Sequence, residues 1–182
     1  MTTRLEFNAL PSVVHIFIKA LTARRPSLLK AGQTVGRIEA GIEGLTAEPE
    51  KVRAYNALCG FPDGEHMPPP YPHILAFPLQ LAILSSDAFP IRLPGLVHVS
   101  NRLVQHEPVA LQEPLHIECA IEGHQDSDRG QEFEENDVPG EEKIIAVVIQ
   151  ACPNLGVGVV SPPWIPFAAA QLFQIAGDAN RL

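Results

Sequence analysis

The chain has 182 residues, with 13 Lys and Arg against 21 Asp and Glu, a net charge of −8 and a pI near 5.3. At 46% hydrophobic and 19% charged residues it has the composition of a globular domain with a real core, which argues against wholesale disorder, collagen-like repeats and a disulfide scaffold. The acidic balance also disfavours nucleic acid as a partner, because phosphate neutralisation needs a basic field.

The first element in chain order is a helix over residues 10–21. Val13, Val14, Phe17, Ile18 and Leu21 recur at helical spacing, and Pro11 suits a first turn. His15 and Lys19 interrupt the apolar run, so it reads as an amphipathic helix and not as a signal peptide. Residues 34–42 carry Val35, Ile38 and Ile42 among glycines and read as a short strand. A second helix is expected over residues 47–58, with Thr46 as its N-cap, Val52, Tyr55 and Leu58 on one face, and Gly60 as its stop.

Six of the 18 prolines fall between Pro62 and Pro78, so the chain up to Pro72 is expected to be extended or turning. Residues 74–84 follow, eleven residues of which only Gln80 is polar. A helix that is apolar on nearly every side is one surrounded by protein. Pro78 within it predicts a kink, or a helix proper that begins near Phe77.

After Pro94 the period becomes two. Strands are expected over residues 96–105, 115–123, 131–136 and 143–151, the last two joined through Val138-Pro139-Gly140, in an antiparallel meander. Between Glu122 and Lys143 nine acidic residues face only Arg129 and Lys143, so this stretch carries −7 of the net charge. It reads as a solvated hairpin face or as a docking surface for a basic partner.

An apolar helix and antiparallel strands have one simple solution, an α+β fold in which the sheet curls around the helix: the hot-dog arrangement. Such a sheet leaves an open edge, so a second hot-dog is expected as partner, in a homodimer, a heteromer or the same chain. Residues 1–151 read as this domain. Residues 152–182, punctuated by Pro153, Pro162, Pro163 and Pro166 and then striped by Phe167, Ala170, Leu172 and Phe173, read as a linker and the incomplete start of a second hot-dog.

Cys59, Cys119 and Cys152 show no metal or disulfide spacing and fit a reducing cytosol, so a cytoplasmic protein is expected. The seven histidines show no metal motif, and no phosphate loop or nucleophile elbow occurs. No run reaches the roughly 18 apolar residues that span a bilayer, and no membrane partner is expected.

Phe173, Ala176, Gly177, Asp178 and Asn180, followed by Arg181 and Leu182, resemble the signature of the MaoC-like family of (R)-specific enoyl-CoA hydratases, an aromatic, a small residue, then Gly-Asp-x-Asn-Pro, an aliphatic residue and His. Arg181 stands where the family has Pro, and the 182 residues stop one position before the His. Three further segments resemble the N-terminal half of double hot-dog MaoC-type dehydratases: Tyr55 to Phe61, Pro68 to Leu79 with its Tyr-Pro-His-x-Leu-Ala-Phe-Pro core, and Gly95 to Asn101.

The resemblance implies a hydro-lyase acting on an acyl-CoA without a cofactor. It implies that Asp178 and Asn180 belong to a catalytic motif, with Asp178 one half of an acid–base pair. It also implies that the first hot-dog shapes the acyl pocket and is inactive alone, with Tyr71, His73, Phe77 and His98 lining the substrate. A non-enzymatic module that binds acyl thioesters or a partner chain is the alternative. In catalytic hot-dogs of the family a His-Gly-Met type turn opens the central helix, where this chain has His73-Ile74-Leu75. His73 therefore reads either as a substrate-facing group or as a buttress of the helix, and His98 on its strand has the same two readings.

Overall fold

A computed structural model describes residues 2–103, 105, 107–127, 130–136 and 145–151. The expected turn at Val138-Pro139-Gly140, the linker from Cys152 onward and the motif residues Asp178 and Asn180 lie outside the described residues. The chain order is β1 (Thr3–Phe7), α1 (Val13–Thr22), β2 (Ile38–Leu45), α2 (Pro49–Cys59), α3 (Tyr71–Ser85), β3 (Leu96–Leu103), β4 (Leu115–Ile121), β5 (Gln125–Ser127), β6 (Gly130–Asn136) and β7 (Ile145–Ala151).

The strands form one sheet in the order β1-β2-β4-β6-β7-β3, with β5 paired to β6 as a short hairpin. All pairings are antiparallel except that of β1 with β2, which is parallel. The strands after residue 90 are therefore not a simple meander. β3 crosses to the far edge, where Leu96 pairs Ala151 and Leu103 pairs Ile145. β1 and β5 are additions to the expected set. β2 begins at Ile38, not Thr34, and alternates Ile38, Ala40 and Ile42 inward.

The helix α3 sits against β2 and β4, and the sheet folds over it. Ala76, Leu79, Ile83 and Leu84 of the helix meet Ile38 and Ile42 of β2, Cys119 and Ile121 of β4, and Phe133 of β6 in one core. This is the α+β hot-dog architecture expected from the pattern. The helix starts at Tyr71 and continues through Pro78. Pro72 fits because a proline in the first turn lacks only an N–H that has no partner there. Tyr71 N–H closes onto Pro68 O at 2.9 Å and starts the turn.

The two smaller helices differ from expectation in their caps and faces. In α1 the N-cap is Ser12, whose Oγ accepts from His15 N–H, so Pro11 precedes the helix. Ile16 and Ala20 face the core, while Val14, Ile18 and Leu21 are 63%, 57% and 72% exposed. Apolar residues cover more than half of this helix's circumference, so their spacing predicts a helix without choosing the buried side. In α2 the N-cap is Glu48 and not Thr46, with Pro49 at the first helical position. Val52 and Asn56 are buried and Leu58 is exposed. Gly60 ends the helix at φ 76°, a left-handed conformation that favours glycine.

A second apolar cluster joins α2 to the start of α3. Tyr55 meets Tyr71 edge-on at 5.4 Å and stacks on Phe61 at 6.0 Å, with Met67 and Val109 beside them. The Tyr55 hydroxyl is buried with no hydrogen-bond partner among the described residues. Burial pushes both phenols above the ordinary tyrosine range, with the Cys59 thiol adding to the effect on Tyr55.

Two arginines tie the periphery to the core. Arg25 donates to Phe89 O at 3.0 Å, to Ser85 O at 3.2 Å and to Asp87 Oδ1 at 2.9 Å, so a cation covers carbonyls at the C-terminal end of α3. Arg4 of β1 reaches Glu118 of β4 at 2.8 Å and Glu39 of β2 at 3.3 Å across the outer face. Arg37 donates to Glu39 at 2.6 Å and to Glu122 at 3.2 Å. The hydrogen-bonded Arg37 guanidinium holds the Glu39 carboxyl below the ordinary carboxylate range, against the opposing effect of partial burial. Of the acidic stretch, Glu122 just before the β5–β6 hairpin and Asp126 within it are exposed, whereas Glu132 of β6 is half-buried.

Arg25→Met is expected to lower stability by about 2 kcal/mol in chemical denaturation, because two carbonyls and a helix end lose a charged donor. Because its carboxyl is depressed in the folded state, Glu39 contributes stability that is present above the ordinary carboxylate pKa and lost as pH falls through the lowered value. Stability curves for wild type and Glu39→Gln should therefore differ near neutrality and converge in acid. The chain's two tyrosines, Tyr55 and Tyr71, should both ionise at higher pH than a free phenol. Absorbance titration of the folded chain should therefore show its phenolate signal displaced to higher pH than that of the chain in denaturant.

Candidate functional site at the entrance of the central helix

The proline-rich segment before α3 delivers the chain to the helix in a fixed direction, and the first two turns lie at the rim of the sheet. His73, Ile74, Leu75, Phe77 and Pro78 are half-buried, whereas residues 79–85 are fully buried. The N-cap is Pro70, without a side-chain hydrogen bond, and no acidic residue occupies the first turn. The positive end of the helix dipole therefore lies beside an apolar, partly open surface, which suits the partial negative charge of a carbonyl oxygen.

Three of the sequence-derived residues share this helix but not one face. Tyr71 is buried in the α2 cluster against Tyr55. Phe77, six residues later, packs with Ile16 of α1 and with Leu81 and Ala82. Six residues advance the helix by about 240°, so the two rings point to different sides. His73 stands apart from both. Its Nδ1 lies 3.4 Å from Nε2 of Gln80, which is 5% exposed and two turns further along the same face.

His98 lies in β3 opposite Ile149 of β7, one position before the register shift of that pair, and its side chain is outside the described atoms. Asp178 and Asn180 lie outside the described residues. The partnership of His73 with Gln80 was not anticipated from the sequence, although a signal was present: Gln80 is the only polar residue in the apolar run and sits seven positions after His73. Among the described residues no group of three or more His, Cys, Asp or Glu could hold a metal ion. Neither Cys59 nor Cys119 forms a disulfide among the described residues. No helix of the described residues is long and apolar enough to cross a membrane.

No protein-family model matches the chain. A curated relative, 3-hydroxyacyl-thioester dehydratase X of Mycobacterium tuberculosis, is 27% identical over 120 residues, which cover 66% of this chain and 42% of that protein. A crystal structure of HtdX from the same organism superposes with a TM-score of 0.56 at 24% identity, covering 63% of this chain and 51% of that one. A second crystal structure of HtdX gives a TM-score of 0.52 at 25% identity, covering 68% of this chain and 53% of that one. The chain thus spans about half the length of the proteins it matches, or less. Sequence likeness and the helix-wrapping sheet agree, and the chain resembles hot-dog dehydratases, among them a 3-hydroxyacyl-thioester dehydratase.

Proposed function

We propose that these residues form the acyl-pocket half of a MaoC-like enoyl-CoA hydratase or 3-hydroxyacyl-CoA dehydratase. The observation that carries this reading is the 120-residue likeness to a 3-hydroxyacyl-thioester dehydratase, which falls on a chain whose central helix opens onto a half-buried apolar rim. Residues 1–151 are the first hot-dog, and residues 152–182 are the linker and the opening of a second. The substrate is an acyl-CoA, no cofactor takes part, and the setting is cytoplasmic, in keeping with three cysteines that lack disulfide spacing.

The chemistry is the reversible addition of water to the double bond of an enoyl thioester. A base removes a proton from water, the oxygen bonds to the β-carbon, and a proton is delivered to the α-carbon. By its motif position Asp178 is one member of that acid–base pair, with Asn180 beside it holding the water or the carboxylate. In the motif that this segment resembles a histidine completes the pair, and a second hot-dog, in the same polypeptide or in another chain, is the partner this reading calls for. The half described in the structure then contributes shape, with Phe77 and the half-buried turns of α3 as a wall and His73 at the entrance, while Tyr71 packs on another side of the helix against α2; by resemblance His98 of β3 is a further substrate-lining residue.

The test is hydration of crotonyl-CoA, followed by loss of enoyl absorbance and by the configuration of the product. The 182-residue chain alone should give no turnover. Mixing it with a catalytic hot-dog that carries the Asp/His motif should give the (R)-hydroxyacyl product, and Asp178→Asn should lower that rate by about 100-fold, the scale of one general acid–base group. Binding of crotonyl-CoA with no turnover under any pairing would favour the non-enzymatic module. Turnover by the chain alone that His73→Ala abolishes would make it an autonomous hydratase and overturn the pocket-half reading.

A further inference from the structure

We propose that the exposed apolar stripe of α1 is the seat of residues 164–176 of the same chain, which fold back as a short amphipathic helix onto Val14, Ile18 and Leu21. Residues 164–176 lie outside the described residues; their sequence and the point where the described chain ends carry the assignment. The docking uses neither the acyl pocket nor Asp178, so its failure leaves the reading above as it stands.

Four large hydrophobic side chains are exposed among the described residues, and three of them are Val14, Ile18 and Leu21. Spacings of four and three residues place these three within about 60° of one another around α1, as one stripe and not as scattered singles. The inward side of the helix is already occupied, because Ile16 packs with Leu81 and Ala82 of α3 and with Leu93. The stripe is also small. Three side chains fall far short of the roughly 800 Å² that each of two separate proteins buries in a stable complex. A segment tethered to the same chain acts instead at an effective concentration on the order of millimolar, so a small apolar contact suffices to hold it.

The chain leaves the sheet close to this helix. Ala151, the last residue of β7, pairs with Leu96 on one side and Gln131 on the other. Leu96 N–H bonds Leu93 O at 3.1 Å, and Leu93 packs in the cluster that holds Ile16 of α1. On the other side the Gln131 amide oxygen accepts from Leu29 N–H at 2.7 Å, in the loop that follows α1. From Ala151 to the outer side of α1 is therefore about one strand spacing, one turn and one helix diameter, roughly 20 Å in all. The twelve residues 152–163 precede Trp164, and when extended they reach roughly 40 Å. Pro153, Pro162 and Pro163 favour such an extended path.

The composition of the segment matches the stripe. From Trp164 to Ala176 only Gln171 and Gln174 are polar, and no residue is charged. Pro166 suits a first helical turn, and Ala169, Leu172, Phe173 and Ala176 recur at helical spacing with both glutamines on the opposite side. The alanines on that face let two helix axes approach closely. Each apolar face needs cover, and pairing the two removes both from water.

The chain's single tryptophan lies in the segment, so its fluorescence in the 182-residue chain reports the docking. Trp164, excited apart from the tyrosines, should show the blue-shifted emission of a buried indole and resist quenching by iodide. Ile18→Asp, at an exposed position of α1, should move the emission to that of a solvated indole and raise quenching several-fold, whereas Leu58→Asp, at an exposed position of α2, should change neither. With Ile18 replaced by benzoylphenylalanine, photolysis should join position 18 to residues 164–176 of the same chain, in a yield independent of protein concentration. A solvated Trp164 in wild type, or an emission indifferent to Ile18→Asp, overturns the docking, and the wild-type measurement stands even if the variant fails to fold. Cross-links between two chains make a second copy the occupant, and the absence of any cross-link to residues 164–176 leaves the stripe to an outside partner; either result overturns the proposal.

Discussion

Everything in this fold answers to one constraint, the need to surround a helix that is apolar on nearly every side. Leu79, Leu81, Ile83 and Leu84 of α3 are all buried, and each contributes about 2 kcal/mol by leaving water. No single flat layer can cover such a helix, so the sheet has to curl and bring strands from both ends of the sequence to it. The order β2-β4-β6-β7-β3 is the result, with β2 from before the helix and the other four strands from after it. The same constraint explains why the rim matters. Where the sheet stops covering α3, His73, Ile74, Leu75, Phe77 and Pro78 are left half-buried, and apolar area remains open there.

The charged groups divide into two kinds of work. Arg25 is largely buried and acts on backbone: it places a delocalised cation over carbonyls that the end of a helix leaves without donors, and thereby fixes the loop from Ser85 to Phe89. Arg4 and Arg37 act on the outside of the sheet, where an isolated ion pair contributes little. Their effect comes from sharing carboxylates. Glu39 takes both arginines, and the chain of contacts from Glu6 to Glu122 joins β1, β2 and the end of β4. This cross-strand network helps hold the short parallel strand β1 to the edge, beyond its backbone pairing with β2.

How much of this was legible in the residues depends on whether the determining contact is local. The nature of α3 was legible because eleven residues with one polar member admit few environments. The inward face of β4, with Leu115, Cys119 and Ile121 buried and Ile117 half-buried, was legible from its period of two, whereas the burial of Ala120 on the other face was not. The partner of β3 was not, because pairing with β7 is decided by closure of the whole sheet and not by anything between residues 96 and 115. β1 was missed because five residues near a terminus become a strand only when β2 offers an edge. The inward side of α1 was hidden by too many apolar residues, and the cap of α2 shifted because Pro49 fits the first helical position. In the candidate site, Tyr71, His73 and Phe77 of the motif core fall in the first two turns of α3. A linear motif does not show that 100° per residue sends Tyr71 and Phe77 apart and brings His73 to Gln80.

The position of α3 in the chain also has a consequence in time. Sixty-six residues separate Ser85 from Ala151, the end of the last described strand that closes the sheet. At a synthesis rate on the order of 10 residues per second, that is several seconds, at the start of which β1, α1, β2 and α2 are the only other elements already made. The most water-averse segment of the protein is thus produced in the middle, ahead of most of its cover, and the growing polypeptide carries it as exposed surface until the final strand emerges. For such a chain the hazardous period is synthesis itself, and early capture of α3 by a chaperone or by an already folded neighbour governs how much product reaches the native state.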